Sequence, residues 1–110
     1  MPWMFGSIAV ASLFFAVGCG DDSSGSCNNE TSMGTCKDYT GDEWTEGTAR
    51  ADCSAGTYST SRCTSTGSIG VCILNDGTGS EARVRYYDPT FTLTAAETAC
   101  GDAGGVFGNP

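Results

Sequence analysis

Six cysteines, Cys27, Cys36, Cys53, Cys63, Cys72 and Cys100, set the terms on which this chain can fold. Large aliphatic side chains are few around them: Ile69, Val71, Ile73, Leu74, Val84, Leu93 and Val106. A core that thin gives little hydrophobic stabilisation in so short a domain. Each cross-link adds about 2–4 kcal/mol by restricting the unfolded chain. The six cysteines therefore read as three disulfides formed in an oxidising compartment. A metal site fits less well. The spacings are long and uneven, no Cys-x-x-Cys occurs, and there is no histidine to complete a mixed zinc site. Sequence alone does not choose among the many pairings that six cysteines allow.

A seventh cysteine, Cys19, makes the count odd, and its setting explains it. It follows an almost wholly apolar run, Met4 to Val17. A spanning helix needs about 20 such residues, so this shorter run fits the core of a signal peptide better. Small residues, Ala16 and Gly18, stand next to the expected cut, and a soft acidic stretch, Gly20-Asp21-Asp22-Ser23-Ser24-Gly25-Ser26, follows. This looks like the processing site of a bacterial lipoprotein, with cleavage after Gly18 and lipid on the Cys19 sulfur. Two features depart from that pattern: Ala16 replaces the usual Leu three places before the cysteine, and Met1-Pro2-Trp3 carries no Lys or Arg. The competing reading is an ordinary secretory signal cut at the same place, leaving Cys19 a plain thiol. The expected organisation is a signal peptide over residues 1–18, a lipidated cysteine and flexible tether over 19–26, and one disulfide-rich domain over 27–110. Gly20 rather than Asp after the cysteine favours the outer membrane, by analogy with enteric bacteria.

All thirteen carboxylates and all five basic side chains lie after Cys19, giving the mature part the full net charge of −8. That excludes nucleic acid as a natural partner and disfavours lying flat on anionic headgroups. Solubility accounts for the charge most simply; capture of a cation or a basic partner is the sharper alternative.

Four local patterns indicate an α+β fold with one hairpin and two short helices. Trp44, Thr48, Ala51 and Ala55 recur at helical spacing, with Asp42 placed to cap the start. Val71-Cys72-Ile73-Leu74, the turn from Asn75 to Ser80, and Ala82 to Tyr87 read as a hairpin. Its return strand alternates, with Ala82, Val84 and Tyr86 on one face and Arg83, Arg85 and Tyr87 on the other. Thr94 to Cys100 reads as a second helix, with Thr94 and Glu97 as a capping box and Gly101 at its end. Gly104-Gly105-Val106-Phe107 reads as a short closing strand. The two helical segments resemble each other: Ala49-Arg50-Ala51-Asp52-Cys53 precedes Gly56 and Tyr58, and Ala96-Glu97-Thr98-Ala99-Cys100 precedes Gly104, Gly105 and Phe107. Duplication and convergence account for this equally well.

The order Cys36-x-x-Tyr39-Thr40-Gly41, Cys53, Cys63, Gly70-Val71-Cys72, Tyr86-Tyr87-x-Pro89-Thr90-Phe91-Thr92, Ala96, Cys100, Gly104-Gly105 resembles a loose group of small cysteine-rich lipoproteins of myxobacteria and related Gram-negative bacteria. The resemblance spans Cys36 to Phe107. Tyr58, Phe107 and Thr64 stand where that group carries Trp, Trp and Pro. It implies an anchored extracytoplasmic domain, without an activity, and Cys19 as the lipid-bearing residue.

Catalysis is not expected. Without histidine there is no Ser-His-Asp or Cys-His arrangement, and cysteines in bridges are not nucleophiles. Asp42 and Glu46, one helical turn apart, fit surface charge on a first turn better than a glycosidase pair. Asn75-Asp76-Gly77-x-Gly79-x-Glu81 offers oxygen ligands for calcium but lacks the EF-hand pattern. Tyr39, Trp44, Tyr58, Tyr86 and Tyr87 form either a ligand-binding patch or the core. Arg83, Arg85 and Tyr87 form either a solvated strand face or one that recognises an acidic group. The expected function is a membrane-anchored extracytoplasmic lipoprotein in a structural or recognition role, without cofactor, held in the bilayer through acylated Cys19 and facing a protein or glycan. The alternative is a secreted, unlipidated module that binds carbohydrate, peptide or calcium.

Overall fold

A computed structural model describes residues 24–108. In chain order the elements are β1 (Ser26–Asn29), α1 (Glu30–Met33), β2 (Thr35–Tyr39), α2 (Glu46–Asp52), β3 (Thr57–Ser59), β4 (Ser68–Leu74), β5 (Ala82–Tyr87), α3 (Leu93–Asp102) and β6 (Val106–Gly108). The strands form one six-stranded sheet in the order β3-β1-β2-β5-β4-β6, and every pairing is antiparallel. The mixed α/β character and the hairpin agree with the sequence. The expected inventory of one hairpin and two helices is too small, because the structure adds a third, one-turn helix and a strand set around β1 and β2. Those strands, Ser-Cys-Asn-Asn and Thr-Cys-Lys-Asp-Tyr, hold no aliphatic residue, so no hydrophobic alternation marks them.

Both longer helices start later or earlier than their carboxylate and threonine patterns indicate. α2 is capped by Thr45, not Asp42: the Thr45 hydroxyl accepts the Thr48 N–H at 3.1 Å, and the Thr48 hydroxyl accepts the Thr45 N–H at 2.8 Å. α3 is capped by Thr92, whose hydroxyl accepts the Ala95 N–H at 3.1 Å; the expected box of Thr94 and Glu97 falls inside the helix. The reason is packing. Phe91 sits against Tyr86 with ring centroids 4.8 Å apart, which fixes where the chain enters α3 and turns Ala96 and Cys100 inward. α3 also runs past Gly101. It ends in a Schellman motif, where Gly104 takes φ +79° and the N–H groups of Gly105 and Gly104 donate to Cys100 and Gly101 carbonyls, each at 3.0 Å.

The cysteines pair as Cys27–Cys53, Cys36–Cys63 and Cys72–Cys100, with Cα separations of 5.4, 5.9 and 5.4 Å. Two of the three tie a helix to a strand in the same way. Cys53 follows α2 and is bonded to Cys27 on β1; Cys100 lies on α3 and is bonded to Cys72 on β4. The chain then turns back, and an edge strand places an aromatic ring opposite the strand cysteine: Tyr58 beside Cys27, Phe107 beside Cys72. Gly56 and Gly105 lie against those sulfurs so closely that a Cβ at either position would collide with the bridge.

The likeness continues upstream of the helices. One buried cluster is Cys27, Tyr39, Ala49 and Cys53, packed by Trp44 and Tyr58. The other is Cys72, Tyr86, Ala96 and Cys100, packed by Phe91 and Phe107 among others. From β2 and β5 to the bridged helices, equivalent residues keep one constant offset in sequence: Tyr39 and Tyr86, Trp44 and Phe91, the caps Thr45 and Thr92, Ala49 and Ala96, Cys53 and Cys100. The sheet is thus two copies of one ββαβ unit, β1-β2-α2-β3 and β4-β5-α3-β6. They join through β2 and β5 in a register symmetric about the pair Lys37 and Val84. The resemblance between the two helical segments extends to the whole unit.

Strand register puts both helices on one face. Cys36, Asp38, Arg83, Arg85 and Tyr87 point to the other. There the connection from β3 to β4 is held down by the Cys36–Cys63 bridge, by the Cys63 N–H donating to Asp38 Oδ1 at 2.9 Å, and by the Tyr87 hydroxyl donating to the Thr64 carbonyl at 2.6 Å. Tyr87 is only 5 % exposed. The expected open face of Arg83, Arg85 and Tyr87 is therefore closed at its tyrosine end.

Each bridge closes a loop of 26 to 28 residues, for which chain entropy gives about 3–4 kcal/mol. The two helix-to-strand bridges do the same work in equivalent units. Replacing Cys72 and Cys100 by Ala, or Cys27 and Cys53 by Ala, is expected to cost a similar amount, about 2–5 kcal/mol, in urea unfolding. A loss below about 1 kcal/mol in either pair would contradict this account.

Candidate functional site

Gly18 and Cys19, the expected cleavage and lipidation positions, lie outside the described residues. The structure shows where the chain arrives from them. Ser24 donates its N–H to the Tyr39 carbonyl at 2.9 Å and its hydroxyl to the Trp44 carbonyl at 2.8 Å. The Tyr58 hydroxyl donates to the Ser24 carbonyl, and the Tyr39 N–H donates to the Gly25 carbonyl at 3.1 Å. Ser26 is buried in β1, with its hydroxyl on the Ser61 carbonyl at 2.7 Å. Residues 24–26, assigned from sequence to the tether, thus belong to the domain. The polar Ser-Gly-Ser stretch gave no sign of this, because its order comes from partners distant in sequence.

Beside this entry point lies a polar cluster on the helix face. The Tyr39 hydroxyl donates to Asp52 Oδ2 at 2.8 Å, and Lys37 Nζ reaches the same oxygen at 2.9 Å. The lysine ammonium also stands 5.5 Å from the Tyr39 ring centre and 5.9 Å from that of Trp44. Tyr39 is fully buried. That burial, then its hydrogen bond to Asp52 and the carboxylate's charge, push its hydroxyl far above the ordinary tyrosine value. For Asp52, partial burial opposes ionisation, but the hydrogen bonds from Lys37 and Tyr39 and the lysine's charge outweigh it and hold the carboxyl below the usual range.

Trp44 continues the cluster. Its ring lies 4.7 Å from that of Tyr39, and its indole N–H donates to the Glu81 carbonyl at 2.9 Å. With Glu43, Thr48 and Ser80 it lines a shallow pocket of about 190 Å³. A second recess of about 200 Å³ lies between Ser24, Gly25, Glu46, Tyr58 and Thr60. Arg50 covers the Tyr58 ring at 4.5 Å while its Nε holds Glu46 at 2.9 Å.

The remaining sequence candidates separate in space. The five aromatics do not form one patch: Tyr39, Trp44 and Tyr58 gather in the first unit, Tyr86 in the second, and Tyr87 under the back-face connection. Asp42 lies before α2 and not on it, and Glu46 is engaged by Arg50. In the Asn75–Glu81 loop, the Glu81 carboxylate closes the turn, accepting the Gly77 N–H at 3.0 Å and the Thr40 hydroxyl at 2.8 Å. Those bonds hold it below the usual carboxylate range. Among the described residues no group of three Cys, Asp or Glu side chains is placed to hold a metal ion. Sequence reasoning gave Thr48, Asp52 and Ser80 only structural places, in a helix, a repeated segment and a turn, and did not name Lys37; nothing local marks any of them as a site residue. The chain matches no protein-family model, no curated protein and no solved structure.

Two predictions follow from the cluster's chemistry. Asp52→Ala strips the buried Tyr39 hydroxyl of its acceptor and is expected to cost about 1–3 kcal/mol. Adding Tyr39→Phe should recover most of that loss in urea unfolding, and simple additivity of the two would show that they are not coupled. The second concerns pH. Tyr39, Tyr86 and Tyr87 all have raised values, Tyr87 pushed up to about 12 by burial and the nearby Glu30 charge. The unfolded chain ionises tyrosine near pH 10. The stability these groups contribute is therefore whole below about pH 10 and is lost as pH rises toward the folded values. Asp52 and Glu81 are depressed, so their share is present above about pH 4 and lost below it. Urea midpoints should hold level from about pH 5 to 9 and fall on both sides; a midpoint unchanged at pH 11 would contradict the alkaline limb.

Proposed function

We propose that the chain is an extracytoplasmic lipoprotein, anchored in a bilayer by acyl chains on Cys19, whose disulfide-stapled domain serves recognition at the cell envelope. The carrying observation is the cysteine arithmetic. The six cysteines among the described residues bond to one another in three bridges, and the seventh, Cys19, is the one placed after an apolar run with small residues at its end. Acylation gives that odd sulfur a role. Buried acyl chains contribute about 0.8 kcal/mol per methylene, and two or more hold a protein stably. The sequence resemblance to cysteine-rich myxobacterial lipoproteins supports the same reading, and Gly20 favours the outer membrane. The lack of histidine and the closed bridges favour recognition over catalysis.

The tether is short. From Cys19 to Ser24 an extended chain reaches no more than about 18 Å at 3.3–3.6 Å per residue, so the first ββαβ unit would stand close to the headgroups. The test is intact mass and fractionation from Gram-negative cells. A mature chain starting at Cys19 with acyl additions, found in the membrane fraction and released by Cys19→Ser, is expected. A lipid-free chain, or unchanged partitioning of Cys19→Ser, would replace the anchor with plain export.

A further inference from the structure

The two units provide an internal comparison. They share the bridge, the buried tyrosine, the threonine cap and the buried alanine, so a residue present in only one is not demanded by the shared fold. Apart from the shared tyrosine hydroxyl, the polar groups beside the entry point are of that kind. Lys37, Asp52, Glu43, Trp44 and Thr48 of the first unit stand where the second has Val84, Ala99, Thr90, Phe91 and Ala95. The second unit packs its cluster with plain apolar side chains at the positions of Lys37, Asp52 and Trp44. The first keeps an indole, a carboxylate and hydroxyls around an open recess.

The chemistry of that recess is specific. One side of Trp44 is held by Tyr39 and its N–H by the Glu81 carbonyl, so the ring is fixed before any ligand arrives. Trp44 lines the pocket together with Glu43, Thr48 and Ser80, the Thr48 hydroxyl being engaged in the α2 cap. A mostly apolar lining with the indole, the Glu43 carboxylate and the Ser80 hydroxyl beside it suits a ligand with one C–H face and hydroxyl groups at its edge. At about 190 Å³ the pocket is below the roughly 300–1,000 Å³ of drug-sized sites, so it takes a single ring. Glu43 at the rim and a net charge of −8 select against an acidic ring.

We propose that the pocket formed by Glu43, Trp44, Thr48 and Ser80 binds one neutral pyranose ring of a saccharide. This rests on the recognition reading above and names its ligand class; it does not require the anchor. Ser24, the described residue nearest Cys19, is bonded to the Trp44 carbonyl, so in an anchored chain the pocket would lie at the membrane-proximal end. The ring can therefore belong to a glycolipid headgroup or to a free glycan.

The test uses the purified full chain with Cys19→Ser, which removes lipidation, so that binding is measured independently of anchoring. Methyl glucoside, glucuronate and vesicles of phosphatidylcholine with or without a neutral glucosyl lipid are the probes. The readout is NMR shifts of the Trp44 indole and the Thr48 and Ser80 amides, with co-sedimentation for vesicles. Methyl glucoside is expected to shift these signals with a Kd in about the millimolar range, and glucuronate to bind at least tenfold more weakly. Preference for glucosyl-lipid vesicles over plain ones would assign the headgroup source; response to the soluble sugar alone would assign a free glycan. The variant Glu43→Thr/Trp44→Phe/Thr48→Ala imports the second unit's residues. It should keep its three bridges and a cooperative unfolding transition, at a Tm lowered by loss of the Thr48 hydroxyl from the α2 cap and of the indole bond to Glu81, and lose binding more than tenfold. Ser80→Ala, on an exposed turn, should weaken binding severalfold without touching the core. No shift with any probe, undiminished binding by the folded triple variant, or equal binding of glucuronate would overturn the proposal.

Discussion

The bond between a helix and the strand beneath it is what the rest of this structure depends on. Cys27–Cys53 and Cys72–Cys100 each fasten a short helix across a strand, at the place where a larger domain would use a layer of leucines. Buried side chains around each bridge are one tyrosine and one alanine, with rings closing the sides and, in the second unit, Ile69, Leu74, Val84 and Ala99 as well. The sulfur pair is itself the centre of each small core. This explains the glycine after each helix: the returning chain must pass directly over the bridge, and only a residue without a side chain fits.

Joining two such units edge to edge solves a problem neither could solve alone. A three-stranded piece would expose the outer edge of β2 or β5; pairing them buries both edges in one continuous sheet. The outermost strands that remain, β3 and β6, are only three residues each, which limits what can add to them. The third bridge has no counterpart in the repeat. Cys36–Cys63 instead straps the linker between units across the back of the sheet, where Asp38 and Tyr87 receive it. The first unit thus carries bridges on both faces of the sheet: Cys27 of β1 toward α2, and Cys36 of β2 toward the linker.

Much of this was legible in the sequence where aliphatic alternation and turn residues coincide. Val71 to Leu74 is a short apolar run and Ala82 to Tyr87 alternates, with Asn75-Asp76-Gly77 between them, and the structure pairs Leu74 with Ala82 and Cys72 with Val84. Helices were legible by their alanines and cysteines, but not their starts, since tertiary packing of Trp44 and Phe91 decided which threonine became the cap. β1 and β2 were not legible, because their inward residues are cysteine, lysine and tyrosine, and no local rule reads Lys37 as facing a helix. The repeat was half visible. Alanine, cysteine, glycine and ring recur in both segments, yet the tyrosine, the ring and the threonine cap upstream complete the pattern only once β2 and β5 are seen in register. For the pocket, Trp44 was among the aromatic candidates, whereas Thr48 and Ser80 come together from different units.

The bridge pattern also bears on how the molecule is made. The first four bridged cysteines interleave, Cys27 with Cys53 and Cys36 with Cys63, whereas Cys72 and Cys100 are neighbours in order. A chain exported N-terminus first, as proposed above, would bring out Cys36 while Cys53 is still inside, before β1 and β2 pair and turn Cys27 and Cys36 to opposite faces of the sheet. Oxidation in order of appearance would therefore join the wrong two sulfurs in the first unit, but the right two in the second. On the proposed export route the first unit would need either strand pairing before oxidation or thiol exchange after it, a demand that falls on one of two otherwise equivalent halves.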